Sequence, residues 1–99
     1  MNVTATKKAT LVVKENITGL TFPKTEVLES ITHQEERKSR ITRGMRLGNN
    51  KKLKVKIVFE DVGGLKKVET TIWGLTEKNV ILKKGTTIPI HCIHEIKFF

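Results

Sequence analysis

The chain has 99 residues, 37% hydrophobic and 5% aromatic, and carries 19 Lys plus Arg against 10 Asp plus Glu, a net charge of +9. A chain this short supports one small domain, which excludes an enzyme assembled from separate cofactor and substrate domains. No run approaches the roughly 18 apolar residues of a membrane span, and the single Cys92 excludes an internal disulfide framework and suits a reducing cytoplasm.

Residues 1–24 form a polar, threonine-rich arm, expected to be partly flexible, with one β-prone stretch from Thr10 to Val13. Its longest apolar run, Leu11-Val12-Val13, is too short for a secretory leader, so none is expected. Pro23 separates this arm from the next segment, because proline disfavours helix in the residue before it.

Over residues 25–49 the pattern turns helical, with Thr25 as the expected cap. At about 100° per residue, Val27, Ile31, Ile41 and Met45 fall within about 40° of one direction and make an apolar stripe, interrupted by Gln34 and Lys38. Gly48-Asn49-Asn50 is the expected stop, since both residue types readily adopt the left-handed conformation that ends helices.

After residue 50 the period changes to two. Leu53, Val55, Ile57 and Phe59 alternate with Lys52, Lys54, Lys56 and Val58, the signature of a half-buried strand. Asp61-Val62-Gly63-Gly64 supplies a hairpin turn with glycines for positive φ, and a second strand is expected from Leu65 to Trp73. Turns at Thr76–Asn79 and Lys83–Gly85 bound Val80-Ile81-Leu82. Thr86-Thr87-Ile88 comes next, and Pro89 marks an edge or strand end. The spacing of Ile90, Ile93 and Ile96 fits a single 3₁₀ turn before a last strand, Glu95–Phe99. The expected fold is α+β: an N-terminal helix followed by a small five-stranded barrel over residues 50–99, closure removing the exposed edges.

The strand lengths and the single-turn break before the last strand make the C-terminal half resemble SH3-like and Sm-like small barrels. Gly74-Leu75 followed by Asn79-Val80-Ile81-Leu82 is similar to the first Sm motif, with Glu77 the acid nearest its aspartate and Lys84-Gly85 in place of the second motif's Arg-Gly. From about residue 44 onward the chain also resembles a group of small bacterial proteins with no assigned activity. The shared features are Arg46-Leu47-Gly48-Asn49, Val68-Glu69-Thr70-Thr71-Ile72-Trp73 and Ile88-Pro89-Ile90-His91.

The charge is concentrated. Arg37, Lys38, Arg40, Arg43, Arg46, Lys51, Lys52, Lys54 and Lys56 lie between Arg37 and Phe59 with no acidic residue among them, and the rest of the chain is balanced. On the helical wheel Arg37, Arg40, Arg43 and Arg46 centre roughly opposite the apolar stripe, so a helix docked by that stripe is expected to display them. Arginine forks fit phosphate oxygens and stack on bases, which points to nucleic acid. An acidic protein partner, self-assembly, or a merely solvated face are the alternatives, with Glu35 and Glu36 available for local pairs.

An even-numbered hairpin loop places Lys52, Lys54 and Lys56 on one face with Glu69, Thr71 and Trp73. Trp73 beside two lysines is then either a platform for stacking a base or a packing residue. The expected nucleic-acid-binding set is Arg37, Arg40, Arg43, Arg46, Lys52, Lys54 and Trp73.

His91-Cys92-Ile93-His94 is the other chemical cluster. Structural zinc needs four ligands in paired spacings, and no positioned acid accompanies Cys92, so a small buried or half-buried thiol flanked by surface histidines is expected. Glu60-Asp61 sits at the hairpin tip, where burial is not expected, and no glycine-rich phosphate loop is present. The apolar helix face lacks Trp and Phe anchors for a membrane surface. The sequence therefore reads as a non-enzymatic binding protein, without cofactor, metal, small-molecule substrate or membrane. Its expected ligand is nucleic acid; the alternative is a protein–protein module or homo-oligomer.

Overall fold

Ser30 sets the start of the helix. In an extended conformation, its hydroxyl accepts a hydrogen bond from the His33 amide and caps α1, Ile31–Lys51. The computed structural model describes residues 9–99, so the part of the N-terminal arm before Ala9 lies outside the described residues. The helix begins later than the expected Thr25 because the preceding backbone is used elsewhere: the Val27 amide donates to the His91 carbonyl, and the Leu28 amide donates to the Glu26 carboxylate. At the other end the helix runs past Gly48, and the left-handed Lys52 returns its amide to the Gly48 carbonyl.

The face of α1 that packs inward keeps only half of the expected apolar stripe, Ile41 and Met45. Arg37, Ile41, Gly44 and Gly48 are buried, spaced four, three and four apart, and Met45 lines the core beside them. Ile31 is 70% exposed and Val27 precedes the helix. Two glycines take the place of large apolar residues because the backbone itself comes close to a strand at that point.

The described residues place seven strands in two sheets beside this one long helix, an α+β arrangement. They are β1 (Thr10–Leu11), β2 (Val55–Asp61), β3 (Gly64–Thr70), β4 (Ile72–Leu75), β5 (Asn79–Leu82), β6 (Thr87–Pro89) and β7 (Ile93–Phe98). One sheet has the order β1-β3-β2-β7 and the other β4-β5-β6; no closed barrel forms among the described residues.

The β2–β3 hairpin turns on Val62 and Gly63, with Asp61 opposite Gly64 and Lys56 opposite Glu69. Gly64 has φ +128°, a value that only glycine adopts cheaply. The second strand, expected to run unbroken to Trp73, instead divides at Thr71, and its two parts belong to different sheets. The β-prone stretch near residue 10 forms a two-residue strand parallel to β3. As expected, a 3₁₀ turn (Ile90–Cys92) precedes the last strand, which starts at Ile93.

The core is built from Val55, Ile57 and Phe59 of β2, Val68, Ile72, Val80, Leu82 and Ile88 from the next four strands, and Ile93 and Ile96 of β7. Ile41 joins them from α1 and Ile17 from a 3₁₀ turn, Lys14–Gly19, in the arm. Each such side chain contributes about 1.5–3 kcal/mol of burial free energy. Leu53, grouped with this face by its period, lies before β2 and is exposed.

Candidate functional site

The first three arginines of the α1 row, Arg37, Arg40 and Arg43, each contact β7. β7 is the edge strand of its sheet, and α1 lies along it. Arg37 Nη1 donates to the Ile93 carbonyl at 2.9 Å and to Glu26 Oε2 at 2.7 Å, while Nη2 donates to Glu26 Oε1. Arg40 Nη1 reaches the Ile96 carbonyl at 3.4 Å, and the Arg43 guanidinium sits 4.5 Å from the Phe98 ring centroid. In order along the strand, Arg37 and Arg40 occupy two backbone carbonyls of β7, and Arg43 covers the Phe98 ring. Arg37 is only 6% exposed, which removes it from the expected ligand-binding set. Arg40 and Arg43 face outward but are anchored to β7.

The hairpin face also differs from its expected role. Lys56 is flanked by Glu69 on β3 and Lys97 on β7, and its Nζ lies 5.7 Å from the Phe99 ring centroid. Two residues along, Val58 is flanked by Lys67 and Glu95, and Glu95 pairs with Lys97 at 3.5 Å. These alternating charges largely neutralise one another. The Lys56–Glu69 register is as expected, but the extension to Lys52, Lys54 and Trp73 is not. Lys52 caps α1, Lys54 precedes β2, and Trp73 belongs to β4 in the other sheet.

A different grouping forms around the junction Thr71–Ile72. Gly48 of α1 is seated there so closely that a Cβ on it would overlap the Ile72 carbonyl oxygen and come 3.0 Å from Thr71 Cγ2. This close approach brings the C-terminal end of α1, with exposed Arg46, Lys51, Lys52 and Lys54, onto the junction. From the second sheet, the Lys83 amide donates to the Thr71 carbonyl at 3.0 Å and brings the Lys83-Lys84-Gly85 turn to the same two residues.

Trp73 comes directly after the junction and is the unpaired residue of a β-bulge: Ile72 opposes Leu82 and Gly74 opposes Ile81, leaving Trp73 without a partner. Bulges re-aim side chains, and the indole is 50% exposed, outside the core.

Lys83 and Lys84 fall outside the basic window of the sequence, and only the fold joins them to it. Glu15 lies within reach of the Lys84 charge, and exposed Glu69 lies two residues before the junction. A backbone hydrogen bond from the Glu15 amide, then the charges of Lys14 and Lys84, hold the Glu15 carboxyl below the ordinary value.

In the His91–His94 cluster Cys92 is buried, as expected, while the two histidines are partly buried rather than on the surface. The His91 Nε2–H donates to the Pro23 carbonyl at 2.7 Å, and the Cys92 thiol donates to the same oxygen at 3.4 Å. His94 Nε2 meets Glu60 Oε1 at 2.9 Å with its side chain almost fully covered. Burial, and then the charges of Glu26 and Glu60, push the Cys92 thiol up to about 11, which opposes the thiolate a nucleophile needs. Among the described residues no group of three or more His, Cys, Asp or Glu side chains is arranged to hold a metal ion. The hairpin-tip Asp61, contrary to expectation, is buried; it accepts the Gly63 amide at 2.9 Å and pairs with Lys66 at 3.0 Å.

Among the described residues no helix is long and apolar enough to cross a membrane. The chain matches no protein-family model, no curated protein and no solved structure.

Proposed function

We propose that this protein is a non-enzymatic binding module that holds nucleic acid on the basic ground at the C-terminal end of α1, and that it does so in the cytoplasm. One observation carries the reading. Among the described residues the only non-glycine positions with positive φ are Lys52 (φ 55°) and Lys84 (φ 69°), and both belong to turns that meet the Thr71–Ile72 junction.

A left-handed non-glycine residue costs about 1–2 kcal/mol. Glycine or asparagine is the economical choice at a helix end or tight turn. Lysine at both positions gives up that economy and gains an ammonium group on each of two turns that flank the Thr71–Ile72 junction, each with lysine neighbours in sequence, Lys51 and Lys54 for one and Lys83 for the other. The left-handed conformation of Lys52 also ends α1, so what supports this reading is the presence of lysine where glycine would be unstrained. Lysines in this number suit a polyphosphate chain, whose binding they drive by releasing condensed counterions.

An SH3-like reading of the fold accompanies this function. Residues 64–75 run as one bent chain interrupted only at Thr71; with β2, β5, β6 and β7 it makes five strands, and a 3₁₀ turn precedes the last.

Fluorescence anisotropy with labelled DNA and RNA at several salt concentrations tests the function. Binding is expected to weaken linearly on a log–log plot with added salt. Replacing Lys51, Lys52, Lys83 and Lys84 by Gln should lower that slope by about one for each phosphate no longer neutralised. Absence of binding at about 50 mM salt ends the proposal.

A further inference from the structure

We infer that the ligand of this site is single-stranded, with an unpaired base stacked on Trp73 and its flanking phosphates on the two lysine turns. The inference rests on the nucleic-acid reading above and adds to it the state of the strand. Trp73 is the only tryptophan of the chain and one of its few aromatic residues. It is left unpaired by the bulge between Ile72 and Gly74, stands half out of the protein, and adjoins the residue pair that both lysine turns touch. A large apolar ring held in the open next to positive charge is costly unless something covers it.

The pairing of an indole with ammonium groups decides the chemistry of the cover. Lysine contacts phosphate without regard to sequence or strand number. An indole face adds affinity only where a base face is available to it. In a duplex those faces are occupied by neighbouring bases, whereas an unpaired strand offers one at every nucleotide. The α1 end and the Lys83–Gly85 turn approach the junction from two elements, so backbone contacts are available on either side of a base seated at Trp73.

The sole tryptophan also supplies the readout. Intrinsic fluorescence is titrated with a short oligothymidylate and, separately, with a hairpin duplex of the same charge, alongside anisotropy of labelled versions of both. The single strand is expected to quench Trp73 and to bind at least about tenfold more tightly than the duplex. Trp73→Leu should weaken single-strand binding by about five-fold or more, as expected for loss of one stacked base, and leave duplex binding unchanged. Trp73→Phe, which keeps a ring, should fall between them, and thermal melts establish that both variants are folded.

Equal affinity for the two probes, or wild-type affinity in Trp73→Leu while the lysine variants weaken, overturns stacking and leaves the patch standing. Absence of binding to either probe overturns both.

Discussion

Arg37 and Glu26 form a two-point pair in which the guanidinium also donates to the Ile93 carbonyl, so one buried side chain ties the segment before α1 to the edge of β7. Neighbouring hydrogen bonds continue the tie. Gln34 Nε2 donates to the Leu28 carbonyl, and Pro23 accepts from His91 and Cys92. Removing one partner of such a pair strands the other charge, which costs more than the pair itself contributes. Arg37→Met is therefore expected to lower the unfolding free energy by about 2–4 kcal/mol, and Glu26→Gln by about 1–2 kcal/mol since Glu26 is partly solvated. Urea denaturation of the two variants measures both.

The same pair sets an acid limit. Burial raises the pKa of Glu26, but hydrogen bonds from Arg37 and the Leu28 amide, with the Arg37 charge, outweigh it and hold the carboxyl below its ordinary value of 4.5. A group with a depressed folded pKa stabilises above its unfolded value, and that contribution is lost as pH falls through the folded one. Wild-type stability should thus decline below about pH 4.5, and Glu26→Gln should lack this part of the decline. A pH series of denaturation midpoints gives the comparison.

Gly48 and Gly44 occupy similar places on α1 and are expected to respond very differently to alanine. Within a helix, Gly→Ala ordinarily gains up to about 1 kcal/mol. At Gly44 the new methyl would meet Ile72 Cδ1 at 3.1 Å, the end of a side chain that can shift. At Gly48 it would strike the Ile72 carbonyl oxygen, which the β-ladder holds in place. Gly44→Ala should change stability by less than about 1 kcal/mol, whereas Gly48→Ala should cost about 3 kcal/mol or more by forcing α1 off the sheet. Thermal melts of the two single variants decide this.

Cys92 sets an alkaline limit. Its folded pKa of about 11 exceeds its ordinary 9.0, so the unfolded chain ionises first as pH rises. Its contribution is intact below about pH 9 and lost progressively towards pH 11. Cys92→Ala, whatever its cost at neutral pH, should show a shallower loss of stability across that window. The native thiol should also react with iodoacetamide only at the rate of opening.

Lys52→Gly and Lys84→Gly should each raise stability, by up to about 1 kcal/mol, because glycine adopts the left-handed region without strain. Each should also weaken nucleic-acid binding. Stabilisation accompanied by loss of affinity is the expected pattern; loss of affinity accompanied by destabilisation would instead mark these lysines as structural. Denaturation and anisotropy on the same samples separate the two.

The β2–β3 hairpin and the 3₁₀ turn before β7 are legible because both are written in local spacing, whereas the parity of the hairpin loop is set by its two-residue turn at Val62–Gly63 and not by the spacing. The helix is legible, but of its inward face only Ile41 and Met45 are. Arg37, Gly44 and Gly48 do not look like core residues until β7 and the Thr71–Ile72 junction are placed against them. The same holds for the arginine row: four arginines spaced three apart read as a displayed charged face, and Arg40, Arg43 and Arg46 are exposed, but Arg37 is buried and Arg40 and Arg43 also contact β7. Lys83 and Lys84 lay outside the basic window and join it only through the Lys83–Thr71 hydrogen bond. Trp73 was marked by its rarity, yet its exposure depends on a bulge that no spacing rule signals.

The location of the binding ground is tested most directly by mapping amide chemical shifts while a short oligothymidylate is added to isotopically labelled protein. The largest changes are expected at Lys51–Lys54, Thr71–Gly74 and Lys83–Gly85, with the Trp73 indole N–H among them. Changes concentrated instead on Lys38–Arg43 and along β7 would return the ligand to the arginine row and contradict the assignment of this site.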